Sequence, residues 1–182
     1  SSQIERISRL ADDLGQVSAA EEGRLNLTLD TADPSVLAGD AVLAAREAYE
    51  RKHVALLVDP AEGAPLVRVD RSRIAQVLAN LLSNALRHTP GNGQVRVSVL
   101  AEQDAVSIQV TDTGDGIAAE HLPHVFERFY RADTARDRDS GGTGVGLAIS
   151  RAIAPAHHGA LTALSAAPGN GATLTLLVPR AG

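Results

Sequence analysis

The sequence predicts an α+β fold: a two-layer α/β sandwich with helices on one face of a mixed, mostly antiparallel sheet, preceded by a short helical stub. Three observations lead there. Residues 94–100 and 105–111 alternate apolar and polar and are joined only by Ala101-Glu102-Gln103-Asp104, far short of the crossover of about a dozen residues that a parallel pair needs. Residues 161–165 and 172–178 form a second such pair over Pro168-Gly169-Asn170-Gly171. Stretches 34–52, 72–88 and 147–158 carry apolar residues at helical spacing, and helices laid on one face of such a sheet bury both apolar surfaces.

Each element follows in chain order. Residues 3–21 read as a helix, with Ile7, Leu10, Leu14 and Val17 alternating by three and four. Two heptads do not make a coiled coil alone, so this is either the tail of a longer helical hairpin or an ordinary amphipathic helix on its own domain. Leu25, Leu27 and Leu29 alternate with polar residues and predict a half-buried strand. Asp33 and Pro34 open a helix to Lys52 that offers Val36, Leu37, Ala41, Leu43 and Ala44 for packing. Residues 53–58 and 66–69 read as short strands around a Pro- and Gly-containing turn, and Asp70 or Ser72 caps the helix that runs to His88. The loop-rich span 112–143 holds one short helix near residues 118–126.

Composition excludes several classes. With 182 residues, 44% of them apolar, the chain is long enough for a real core and too apolar to be disordered. No apolar run approaches the roughly 20 residues of a membrane span. The net charge of −5 is wrong for a general nucleic-acid binder, and the absence of cysteine removes disulfides, thiolate metal sites and a thiol nucleophile. The chain has no Met, so Ser1 reads as the edge of a fragment. It has one lysine, Lys52, so phosphate binding would fall to arginine, backbone amides or a metal.

Four motifs carry chemistry. On the helix 72–88, Ile74, Val77, Leu78, Leu81, Leu82 and Ala85 form a core stripe, while Asn80, Asn84, Arg87 and His88 share another. Asparagine inside a helix costs about half a kcal/mol relative to alanine; its carboxamide oxygen is a neutral ligand suited to magnesium beside phosphates. These residues are otherwise simply a solvated face. Second, Asp112-Thr113-Gly114-Asp115-Gly116 follows a strand. Residues 114–119 match the G-x-G-x-x-A dinucleotide pattern, but that pattern belongs to a parallel βαβ unit, and here the strand is half of a hairpin. A carboxylate at a strand end can instead accept a hydrogen bond from an adenine amino group, with Gly114 and Gly116 admitting the flat base. Third, Gly141-Gly142-Thr143-Gly144-Val145-Gly146-Leu147 runs into a helix, whose first amides suit phosphate. It lacks the lysine of a Walker loop. The polar span 131–140 before it reads as a flexible lid. Fourth, in Val125-Phe126-Glu127-Arg128-Phe129-Tyr130-Arg131, Phe126 and Phe129 would anchor the lid's stem to the core, and Arg128 or Arg131 would face phosphate.

In order and spacing, Asn80-Leu-Leu-Ser-Asn84-Ala-Leu-Arg-His88, Asp112-Thr-Gly114-Asp-Gly116, Phe126-Glu-Arg-Phe129 and Gly142-Thr-Gly144-Val-Gly146-Leu resemble the N, G1, F and G2 boxes of sensor histidine kinases. The resemblance spans about residues 24–180. It implies the GHKL fold shared with gyrase B, MutL and the large heat-shock chaperone, with ATP and Mg2+ as cofactors. It divides the chain into residues 1–22, the end of the dimerisation and phosphotransfer hairpin, and 23–182, the ATP-binding catalytic domain. Asn84 resembles the magnesium ligand, assisted by Asn80. Arg87 would approach phosphate, and His88 would line the pocket where many relatives have Tyr. Asp112 would bind the adenine amino group, with Gly114 and Gly116 beside the base. Thr143, Gly144, Val145, Gly146 and Leu147 would surround the phosphates.

Two departures matter. ATPases of this superfamily have Glu where this chain has Asn80, and an amide is no general base, so the resemblance implies phosphate transfer with weak hydrolysis. None of His53, His88, His121, His124, His157 and His158 lies in the leading helix, so the phospho-accepting histidine is expected outside this chain. The implied partners are that hairpin, a response regulator and, for the full-length protein, a second copy in a homodimer. Nucleic acid is not among them. The implied setting is the cytoplasmic side of a membrane-anchored sensor. A serine kinase of the anti-sigma type and a regulatory nucleotide-binding module are the alternatives.

Overall fold

The computed structural model describes residues 2–131, 143–165 and 168–182. Its elements are α1 (Ser2–Glu21), β1 (Asp30–Ala32), α2 (Pro34–Lys52), β2 (Ala55–Asp59), β3 (Val67–Val69), α3 (Arg71–His88), β4 (Gln94–Ala101), β5 (Ala105–Asp112), α4 (Gly146–Ala156), β6 (Ala160–Leu164) and β7 (Thr173–Pro179). The main sheet has the order β2-β4-β5-β7-β6. β2 runs parallel to β4; the β4–β5 and β6–β7 pairs are antiparallel, as their short links require, and β5–β7 is antiparallel too. Alternate residues of β4, Val95, Val97 and Val99, point into the core. There they meet Ile108, Val110, Leu174 and Leu176 beneath α2, α3 and α4, which pack on that one face. No helix among the described residues is long and apolar enough to cross a membrane.

Several expectations need correction. Leu25, Leu27 and Leu29 are not in a strand; pairing starts at Asp30, opposite Val69 of β3, in a separate two-stranded sheet. β3 is only three residues long, and the Thr28 N–H donates to the Asp70 carboxylate rather than to a neighbouring strand. On α2 the buried side is Leu37, Ala38, Val42 and Tyr49, while Val36, Leu43 and Ala44 are exposed. Apolar residues surround this helix, so sequence alone leaves its phase open; the Asp33 cap bonded to Ser35 N and the Tyr49 hydroxyl donating to Leu82 O set it. The helix expected near residues 118–126 shrinks to a 3-10 turn at Leu122–His124, because Pro123 has no N–H to extend a ladder.

Cross-links hold α3 in place. Lys52 Nζ donates to Leu86 O at 2.5 Å and Arg87 O at 3.1 Å, capping the last carbonyls of the helix with a cation. At the other end, His157 is buried and its Nε2 accepts from Asp70 N (3.1 Å). Nδ1 therefore carries the proton and donates to Ile153 O (3.0 Å). The C-terminal half of α1 also packs here. Val17 is fully buried, Leu10 and Leu14 lie against the core, and Ile4 and Ile7 face solvent. Gln16 Oε1 accepts from Arg73 and Gln76, and Glu21 pairs with Arg128.

Asp70 caps α3, accepting from Ser72 N, Arg73 N, the Ser72 hydroxyl and Thr28 N. Burial pushes its carboxyl up, but these four bonds outweigh burial and hold it below the usual range. Its stabilisation is therefore complete above the ordinary aspartate value of about 3.9 and drains as pH falls from there through the lower folded value. Asp70→Ala should cost about 1–2 kcal/mol at neutral pH. In urea melts that deficit should shrink at pH 3; a deficit independent of pH would remove the carboxylate from this role.

Candidate functional site

α3 turns its apolar stripe to the sheet and leaves Asn80, Asn84, Arg87 and His88 along its flank. Asn80 is fixed at the start of α4: its Nδ2 donates to Gly146 O (3.0 Å) and Ser150 Oγ (3.2 Å), and Ser150 Oγ donates to the same carbonyl (2.9 Å). Asn80 Oδ1 accepts no hydrogen bond among the described residues. One turn on, the half-buried Asn84 carboxamide has no hydrogen-bond partner among them. A pair of amide oxygens is thus presented beside the glycine loop. These are hard, neutral donors of the kind a magnesium ion takes.

Asp112 ends β5 with only 6% of its surface exposed. Its Oδ1 accepts from Gly114 N (2.8 Å) and Ala172 N (3.3 Å), which leaves Oδ2 as an acceptor. Burial raises its pKa above the ordinary value, against the pull of those two bonds and of His88. The turn after β5 is packed backbone against backbone. A Cβ on Gly114 would come within 2.2 Å of His88 O, and one on Gly171 within 1.8 Å of Asp112 O.

Two adjoining chambers share Asn84, Arg87, Val125, Tyr130, Gly144 and Leu147. The inner one, about 290 Å³, joins Asp112, His88 and Gly116 to an apolar wall of Ile117, Ala118, Val125 and Leu174, with Arg131 at its edge. A flat apolar ring with one polar edge suits this shape. The outer one, about 480 Å³, is polar and bounded by Asn80, Ser83, Thr143 and Gly146. It is also bounded by Arg6, Arg9 and Asp13 of α1.

Most expected site residues therefore converge, and a few do not. Arg128 pairs with Glu21 of α1 instead of facing either chamber. Val145 is buried in the core as the residue before α4, and Gly114 supports Asp112 from outside the cavity. Phe126 packs on the core under the Arg151 guanidinium, 5.1 Å from its ring centroid. Phe129 does not anchor: it is 55% exposed, and only its backbone is engaged, with N–H donating to Gly144 O at 2.8 Å. The reason is local. A Cβ on Gly144 (φ +72°) would sit 2.9 Å from Phe129 Cα, so the two chains touch through backbone with no room for an inward ring. The lid expected at residues 131–140 and the glycines Gly141 and Gly142 lie, apart from Arg131, outside the described residues. Sequence reasoning missed Tyr130, whose hydroxyl meets His121 Nδ1 at the cavity edge. It also missed Gly171 and the three α1 residues. The spacing of Arg6, Arg9 and Asp13 by three and four was the available signal for the last.

The chain is similar to known proteins in sequence and in fold. Residues 69–182 match the family described as histidine kinase-, DNA gyrase B-, and HSP90-like ATPase. The sensor histidine kinase MtrB of Mycobacterium leprae is 35% identical over 178 residues, covering 98% of this chain and 31% of that protein. The signal transduction histidine-protein kinase AfsQ2 of Streptomyces coelicolor is 38% identical over 179 residues, covering 98% and 32%. The chain thus spans about a third of the length of these relatives. Among solved structures, full-length ShkA in complex with AMPPNP aligns with TM-score 0.81 and 25% identity over 95% of this chain and 35% of that one. The Acinetobacter baumannii histidine kinase AdeS shares the fold with TM-score 0.79 at 24% identity, over 100% of this chain and 82% of the other.

Proposed function

The chain belongs to the histidine kinase-, DNA gyrase B- and HSP90-like ATPase family, and from that premise we propose that it is the MgATP-binding catalytic domain of a two-component sensor histidine kinase. The observation that carries this is the pair of adjoining chambers, one ending on a buried carboxylate and the other on two asparagines and an arginine. Asp112 Oδ2 would accept from the adenine amino group while Ile117, Ala118 and Leu174 cover the ring. The phosphates would pass Arg87 and the first amides of α4 into the polar chamber.

Asn84, with Asn80 beside it, would hold the magnesium ion, which when bound neutralises phosphate charge. Arg87 adds a fixed positive charge, and Thr143, Gly144 and Gly146 offer hydroxyl and backbone contacts. The acceptor would be a histidine of a helical hairpin that α1 completes. Its imidazole nitrogen bonds to the γ-phosphorus as the bond from that phosphorus to the bridging oxygen breaks, and ADP leaves with the electron pair. The phosphoryl group would then pass to an aspartate of a response regulator. Asn80 stands where the ATPases of the superfamily have a glutamate, and an amide cannot act as the general base that activates water, which favours transfer over hydrolysis.

Titration with ATP and GTP, each with and without magnesium, tests the reading: ATP should bind, GTP should bind at least tenfold more weakly, and magnesium should tighten ATP. Asn84→Ala should abolish most of the magnesium-dependent gain and leave metal-free binding nearly unchanged. Equal losses in both conditions would speak against a metal ligand there.

A further inference from the structure

We propose that α1 forms the outer wall of the triphosphate end of the cleft, with Arg6 and Arg9 binding the terminal phosphate of ATP. This deepens the functional reading above and rests on it for the identity of the ligand. Arg6, Arg9 and Asp13 are spaced by three and four, so they share one helix face, and all three line the outer chamber with Asn80, Asn84 and Arg87. That face continues into Gln16 and Val17, which fasten the helix. Gln16 Oε1 accepts from Arg73 Nη1 at 2.7 Å and Gln76 Nε2 at 2.9 Å, and Val17 is buried. The helix is held by its C-terminal half and extends its basic N-terminal half over the cavity.

Charge fits the assignment. Among the described residues, the outer chamber is lined by three arginines, Arg6, Arg9 and Arg87, and one acidic residue, Asp13. Guanidinium matches phosphate oxygens in paired, charge-assisted hydrogen bonds. Order along the cleft decides which phosphate they meet. With the base at Asp112, the chain of phosphates crosses the shared boundary at Asn84 and Arg87, so the last one lies nearest α1. ADP, one phosphate shorter, would not reach. By linkage, ATP must tighten the docking of α1 by the same factor that docked α1 tightens ATP.

Calorimetric titration of MgATP and MgADP into the unaltered chain and into the double variant Arg6→Ala/Arg9→Ala tests this. The variant should weaken ATP by about tenfold, modest because both side chains are exposed, and change ADP by less than about twofold. Arg6→Lys/Arg9→Lys, which keeps the charge and the helix, should recover at least half of the lost ATP preference. Equal losses for ATP and ADP, or no loss, would overturn the inference and leave the functional reading intact. Failure of the unaltered chain to bind either nucleotide would overturn both.

Discussion

Asp112→Asn should bind ATP about 10- to 100-fold more weakly, the effect of losing a hydrogen bond to a charged acceptor worth roughly 1.5–3 kcal/mol. The fold should not suffer. An amide oxygen can still accept from Gly114 N and Ala172 N. Because burial raises the Asp112 pKa, the ionised side chain is disfavoured in the folded state. That loss of stability sets in as pH rises above the unfolded value of about 3.9 and is complete above the higher folded value. Removing the charge at neutral pH therefore leaves the melting temperature unchanged or higher. Calorimetry with ATP and thermal melts at pH 5 and 7.5 check both halves, and an unaltered affinity would take Asp112 out of the site.

Gly171→Ala should be severely damaging, costing about 3 kcal/mol. Its Cβ would lie 1.8 Å from Asp112 O, 2.8 Å from Asp112 C and 3.2 Å from Thr113 Cα, all backbone atoms that cannot rotate aside, at φ +72°. Relief means separating the start of β7 from the end of β5, which also displaces Asp112. ATP binding should fall with stability. Gly15→Ala is the contrast. Nothing lies within 4 Å of its Cβ, and in mid-helix it should stabilise by about 0.5–1 kcal/mol. Denaturation midpoints of the two variants should move in opposite directions; similar midpoints would contradict the packing described for Gly171.

The core and most of the site were legible because their signals are periodic or local. Asn80, Asn84, Arg87 and His88 fall on one flank of α3 by spacing alone, and the four-residue link after Ala101 dictates an antiparallel pair. Information that depends on a distant partner was not legible. Leu25, Leu27 and Leu29 alternate like a strand, yet pairing starts only at Asp30, and Thr28 N–H goes to the Asp70 side chain instead. Val36 and Leu43 are as apolar as Leu37, and the contact that marks the inward side of α2, Tyr49 reaching Leu82 O, is made with a residue 33 positions away. Phe129 reads as an anchor until Gly144 is seen to occupy its space. Arg6, Arg9 and Asp13 read as an ordinary charged helix surface, because the cavity they bound is built from residues about 70 or more positions away.

The single lysine has a consequence for labelling chemistry. Amine-directed acylation has one side-chain target in this chain, and it is the group bridging α2 to the Leu86 and Arg87 carbonyls. Acetylation at Lys52 would replace a compact cation by a neutral amide. The last turn of the helix that carries Arg87 and His88 would then fray, so a modification on the opposite side of the helix layer would be felt at the nucleotide cleft.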